Sequence, residues 1–222
     1  MDMFKKEYAG RGIVTFFGFL LIALVVTIGA FLFIRGIGTF TTYGHSIGEF
    51  LFSPIFMPAD DQVGGGKVGA AVFIAGSLVT CATALVMSVP FSLAAAIFMV
   101  WISPSIGQRF IRPAADIFAG IPSVVYGWMG LTILVPFMKN LFHLTQGQSV
   151  LGAAIVLAVM IYPTITSVAA DAISSVDSKY TEAAWGLGST RWQIIYKIVL
   201  PAAMPGILTA VILGLARAFG EA

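Results

Sequence analysis

The stretch LARAFGEA, Leu215 to Ala222, sets Arg217 and Glu221 four residues apart at the end of an apolar run. At that spacing the two share one helix face. A charge at the centre of a membrane helix costs about 2.5–3.5 kcal/mol even on the mild insertion scale. Three readings fit such a pair. The two groups can neutralise each other, Arg217 can reach out to the headgroups along its apolar stem, or the pair can handle an anion. The last has the fuller chemistry, because a guanidinium stays protonated and presents a planar fork of donors that matches an oxyanion. A second polar group lies in GIPSVVYG, Gly120 to Gly127, where Ser123 and Tyr126 offer hydroxyls beside Pro122. Pro122 frees a backbone carbonyl, which in lipid needs a neighbouring helix or a water-filled cavity. The segment is therefore expected to face the interior.

Other reactive residue types are sparse. Cys81, His45 and His143 are far apart in sequence and form no ligand cluster. Cys81 lies in an apolar run and reads as a small packing residue. No G-x-x-x-x-G-K-[ST] loop is present, so the chain cannot hold ATP in that way.

The elements that position these residues are membrane spans. Only 10% of the 222 residues are charged and 59% are hydrophobic, with mean hydropathy +0.97. A soluble domain has about a quarter of its residues charged, so lipid must cover this chain. The net charge of +2 gives no argument for nucleic acid. Runs of roughly 20 apolar residues mark spans: Ile13 to Ile34, Val68 to Ile102, Ala114 to Met138, Val150 to Ala170, and from Pro201 onward. The first is too long for a signal-peptide core and is read as retained. The second contains Pro90 and is either one long tilted helix or two shorter pieces.

Charge decides between them. With one crossing, Lys5, Lys6, Arg11, Arg109, Arg112, Lys179, Arg191 and Lys197 share a side, against Arg35, Lys67 and Lys139 on the other. That is the positive-inside pattern, with a cytoplasmic N-terminus. Residues 1–67 are then a first span and an external loop holding Glu49, Asp60, Asp61 and GGGK, in which EFLFSPIF is suited to the interface. Residues 68–222 form the core. Gly120, Gly127, Gly130, Gly152, Gly206 and Gly214 allow close helix packing.

Between the fourth and fifth spans lies a cytoplasmic insert, 171–201. Asp177 or Ser178 can cap a short helix, with Glu182 near its first turn. Gly188 can end it, and Ser189 can cap a second helix that stops before Pro201. Either an amphipathic pair on the headgroups or a docking hairpin fits this pattern.

The residues EAA (Glu182, Ala183, Ala184), Gly188, Ile198, Leu200 and Pro201 stand at the spacing of the signature loop in permease subunits of ATP-binding-cassette importers. GSLVTCATALVMSVPFSLAAAIFM resembles the family's first core helix. AGIPSVVYGWMGLTILVPF and PGILTAVILGLARAFGE resemble its phosphate-specific, PstC-type members. The resemblance runs from about Gly76 onward. It implies an all-α polytopic membrane protein with the helix bundle of a type I importer permease, in which a sixth span follows the five present. It implies bacterial or archaeal cytoplasmic membrane, a PstA-like permease partner, two PstB-like ATPases holding ATP and magnesium, and a PstS-like phosphate-binding protein. In that setting Glu182, Ala183, Ala184, Gly188, Leu200 and Pro201 couple to the ATPase, while Arg217, Glu221, Ser123 and Tyr126 line the substrate pathway. The chain itself is non-catalytic and carries no cofactor. The loop reports the engine rather than the cargo, so molybdate or sulfate is the nearest alternative substrate. A secondary transporter or channel would predict inverted repeats or paired broken helices, and none is evident.

Overall fold

The computed structural model describes residues 2–58, 66–143 and 145–221, with side chains described from Gly10 onward. Asp60, Asp61 and Gly65 of the external loop lie outside the described residues. Helix α1 runs over Asp2–Thr41, and its described side chains from Gly10 to Ile37 are all exposed. A helix apolar all round and exposed all round suits lipid rather than water. After it comes α2, Ile47–Phe52, where Ser46 caps by accepting from the Glu49 amide. Short strands β1 (Phe56–Met57) and β2 (Lys67–Val68) then pair antiparallel, Phe56 opposite Val68. This ladder is an addition to the all-helical expectation. It pairs backbone groups of two short segments that lie outside any helix.

The chain divides into two compact units between Ile74 and Ala75, a few residues beyond the division drawn at Lys67 from sequence. The division falls within α3, Ala71–Ile97. A π-helical turn, Phe98–Ile102, continues α3 directly, so Ala71–Ile102 is one uninterrupted span, as the charge argument required. Cys81 is fully buried on it. Next come α4 (Pro104–Ile106), a π turn over Gly107–Ile111, and α5 (Arg112–Gly120). Then follow α6 (Ser123–Met129), a π turn over Gly130–Leu134, and α7 (Val135–Leu141). Helix α8, Val150–Ser174, is the centre of the second unit. It begins at Ser149, whose hydroxyl accepts from the Gly152 amide.

The hairpin region comprises α9 (Ser178–Gly186), α10 (Arg191–Ile194) and a π turn over Ile195–Val199. From there α11, Leu200–Glu221, completes the described chain. Two expectations are corrected here. The second hairpin helix is capped by Thr190, not Ser189: Thr190 and Gln193 form a reciprocal capping box. That helix also does not stop before Pro201, so the fifth span is Arg191–Glu221 rather than starting at Pro201. A proline inside a helix clashes with the carbonyl four residues back. Here the wide π turn, in which the Leu200 amide reaches Ile195 O, loosens the backbone immediately ahead of the ring.

Helices α8 and α11 form the tightest pair. Ala203, Ile207, Ala210, Gly214 and Ala218 are buried along one stripe of α11. A Cβ on Gly206 would lie 2.5 Å from Ala172 Cβ, and one on Gly214 would lie 2.5 Å from Ile165 Cγ1. Positions rising on α11 thus meet positions falling on α8, and the helices run antiparallel. Small residues give this approach its closeness, as in lipid-embedded helix pairs generally. Among the described residues the core also buries three small polar side chains: Ser88, Ser92 and Thr166. Ser92 Oγ donates to Tyr162 O at 3.3 Å, whereas Thr166 Oγ1 has no hydrogen-bond partner among the described residues.

Candidate functional site

Arg217 sits on α11 three residues past Gly214 and is half-buried. Its Nη1 donates to Thr164 Oγ1 of α8 at 2.9 Å, and its Nη2 to the Ala119 carbonyl of α5 at 3.5 Å. Among the described residues no ion pair joins Arg217 to Glu221, which is exposed one turn further on. The sequence spacing suggested that Glu221 orients the guanidinium; the neighbouring helices do so instead. Both acceptors are neutral, so the positive charge is positioned without being cancelled.

The Ala119 carbonyl is available because the third helix breaks. Sequence reading put Pro122 within the span. The structure ends α5 at Gly120, leaves Ile121 and Pro122 extended, and starts α6 at Ser123. The last carbonyls of a helix have no intrahelical partner and carry the negative end of its dipole. Phe118 O accepts the Tyr126 hydroxyl at 2.8 Å, while Ala119 O faces Arg217. Tyr126 is buried and Ser123 half-buried, so this face of the break is internal as expected. The remainder of α6 is not: Val124 and Trp128 are exposed apolar residues. Thr164 and the Ala119 carbonyl were missed by sequence reasoning. The one signal was a polar TITS run after Pro163 inside an apolar span.

The second candidate region is the hairpin. Asp177 caps α9 by accepting from the Lys179 amide at 3.0 Å. Glu182 is therefore the fifth residue of the helix and not in its first turn. It is exposed and does not stabilise the helix start. Gly188 has φ +76°, a left-handed conformation open to glycine at no steric cost. Its amide reaches Trp185 O, and the Ser189 amide reaches Ala184 O, which together close the C-terminus. Ala184 is buried, while Glu182, Ala183, Trp185 and Leu187 are exposed, Leu187 at 86%. Leu200 is half-buried and Pro201 exposed.

The base of the hairpin is pinned twice. Arg112 Nη2 meets Asp171 Oδ1 at 3.0 Å, tying the start of α5 to the end of α8, and Gly206 packs on Ala172. An open groove of about 560 Å³ beneath α9 is lined by Trp101, Trp185 and Arg191, among others. The arrangement is an elbow with an exposed apolar tip, suited to seating in another protein.

The family model described as binding-protein-dependent transport system inner membrane component matches residues 88–222. A probable ABC transporter permease protein, YqgH, of Bacillus subtilis is 44% identical over 216 residues, covering 97% of this chain and 69% of that protein. A phosphate transport system permease protein PstC of Mesorhizobium japonicum is 34% identical, with 82% of this chain and 59% of that protein covered. The PstC protein of Haemophilus influenzae is 32% identical, covering 99% and 71%. The chain thus spans 59–71% of the length of these relatives. A structure of the MetNI methionine ABC transporter in an inward-facing conformation matches with TM-score 0.53 at 23% identity, covering 68% of each chain. That likeness concerns the fold, the helix bundle of a type I importer permease.

Proposed function

The chain belongs to the family of binding-protein-dependent transport system inner membrane components, and from that premise we propose that it is the phosphate-translocating permease subunit of an ATP-driven importer. The observation that carries the reading is Arg217: a half-buried guanidinium within a membrane span, held by two neutral oxygens and, among the described residues, by no carboxylate. Such a group attracts an anion, and its unused N–H donors remain free to bind it. Support for phosphate in particular comes from the PstC relatives and from the chemistry of the pair. Phosphate near neutral pH keeps a proton that a carboxylate can accept as a hydrogen bond. Sulfate has none, so Glu221 would repel it.

In this reading a PstA-like permease completes the pathway, with Ser123 and Tyr126 on its wall. A PstS-like protein delivers phosphate from outside. Two PstB-like ATPases bind ATP and magnesium, and the tip that exposes Glu182, Ala183 and Gly188 docks on them, with Ala184 buried beneath it rather than at the contact. Leu200 and Pro201 lead from that tip into α11. The N-terminus and the hairpin face the cytoplasm. Closure of the ATPases moves the hairpin, and its pinned base passes the movement to α8 and α11, where Arg217 and Thr164 lie.

The test is uptake of radiolabelled phosphate by assembled complexes. Arg217→Gln should abolish uptake while the complex still assembles, and Arg217→Lys should also be poor because a point charge does not replace the fork. Near-normal uptake by Arg217→Gln, or uptake of sulfate or molybdate in preference to phosphate, would overturn the assignment.

A further inference from the structure

Six threonines in the spans of this chain share one bonding pattern that Thr164 and its neighbour Thr166 on α8 do not follow. Thr27, Thr41, Thr80, Thr83, Thr132 and Thr209 each donate their hydroxyl to the carbonyl four residues back. That bond removes the hydroxyl proton from further use. Thr164 follows Pro163 and is half-buried. Its hydroxyl oxygen accepts from Arg217 Nη1 at 2.9 Å, and its proton has no acceptor among the described residues. A hydroxyl that accepts from a cation is polarised, which makes its own proton a better donor.

We propose that Thr164 is the second anchor of the anion site: its oxygen seats the guanidinium, and its proton donates to the oxyanion that Arg217 attracts. This rests on the reading of Arg217 as the anion-attracting group and adds a residue to it. The Ala119 carbonyl holds Nη2 at the longer distance of 3.5 Å. An arriving anion can take over that weaker contact, while Thr164 keeps the other edge of the fork in place. The anion then meets guanidinium N–H and hydroxyl O–H donors from two different helices, α11 and α8.

The experiment compares Thr164→Val, Thr164→Ser, Arg217→Gln, Arg217→Lys and the Thr164→Val/Arg217→Lys double variant in the full transport complex reconstituted in liposomes. Phosphate transport is measured against the concentration of loaded binding protein. Thr164→Val keeps the side-chain shape and should lower the maximal rate about tenfold or more, as for loss of a hydrogen bond to a charged group. The concentration of binding protein giving half-maximal rate should not change. Thr164→Ser should restore most of the rate, and the double variant should lose less than the product of the two single losses, since both act in one site. If Arg217→Gln is inactive and Thr164→Val transports normally, the proposal for Thr164 fails while the Arg217 reading stands. Normal transport by Arg217→Gln removes the reading beneath it. A Thr164→Ser variant as poor as Thr164→Val, or a double variant in which the two single losses multiply in full, would also overturn it. Should Thr164→Val assemble poorly, Thr164→Ala makes the same comparison against Thr164→Ser.

Discussion

Adding one methyl group at Gly206 tests the geometry on which the hairpin mechanism depends. The new Cβ would lie 2.5 Å from Ala172 Cβ and 3.5 Å from Ala172 Cα. Carbon atoms settle at about 3.5–4.0 Å, so the first contact is short by about 1 Å. Both atoms are fixed to backbone, and no rotamer change relieves the clash. The helices must part, and Ala203, Ile207 and Ala210 on the same stripe lose contact with α8. A gap of 0.5–1 Å forfeits about a quarter to a half of each contact's attraction, and overpacking of this kind costs about 1–3 kcal/mol. Alanine's better helix propensity offsets about 1 kcal/mol of that, so the single variant understates the clash. A double-mutant cycle removes the propensity term. Ala172→Gly combined with Gly206→Ala moves the methyl from one helix to the other and should recover about 1–3 kcal/mol relative to the sum of the singles. Thermal unfolding of the purified protein in detergent reads this as about 2–4 °C per kcal/mol for a chain of this size. Gly214→Ala is a second test of the same seam, because its new Cβ would meet Ile165 Cγ1 at 2.5 Å and Cδ1 at 2.6 Å. Ile165 is β-branched and fully buried, so its side chain has little freedom to turn away and a comparable loss is expected. Additive behaviour of Gly206→Ala and Ala172→Gly would show that the helices do not approach closely at the hairpin base, and the transmission argument would go with it.

Two further outcomes are expected. Gly188→Val forces a β-branched residue into φ +76°, where ordinary residues lose about 1–2 kcal/mol; substrate-stimulated ATPase activity and phosphate uptake should fall while the binding protein still loads phosphate, and undiminished stimulation would remove the hairpin from the coupling mechanism. In a Cys81→Ala background, a cysteine at Lys67 should react with an impermeant thiol reagent added outside and one at Ser178 should not; the reverse result would invert the orientation.

Periodicity and charge made the spans legible because lipid imposes its constraint locally. Any segment that crosses must be apolar over a fixed length and satisfy its own backbone. That is why Ala71–Ile102 could be read as one helix despite Pro90. Gly188 was legible for a similarly local reason, since a left-handed residue at a helix end has few substitutes. Pro201 and Pro122 were read with the opposite bias. Proline was taken to end a helix at 201, where a π turn lets the helix continue. It was taken to sit inside a helix at 122, where the chain instead breaks. In both cases the outcome depends on what the freed carbonyls can find, and that partner is a tertiary fact.

The same limit explains why Glu221 was assigned the role that Thr164 fills. A sequence displays the i, i+4 neighbour and conceals a partner 53 residues away on another helix. The physical difference matters for transport. A carboxylate clamped on Arg217 would satisfy the guanidinium and compete with every arriving anion. A threonine oxygen and a helix-end carbonyl fix the same fork while leaving its charge unspent. Glu221, exposed and unpaired with Arg217, is then free to meet the anion itself. A carboxylate beside an anion adds repulsion unless a proton lies between them. An arginine held by neutral groups thus supplies attraction to any oxyanion, and the neighbouring carboxylate can restrict passage to those that carry a proton. In the proposed pathway attraction and discrimination are assigned to two separate residues, between which the ion pair that the sequence suggested is not made.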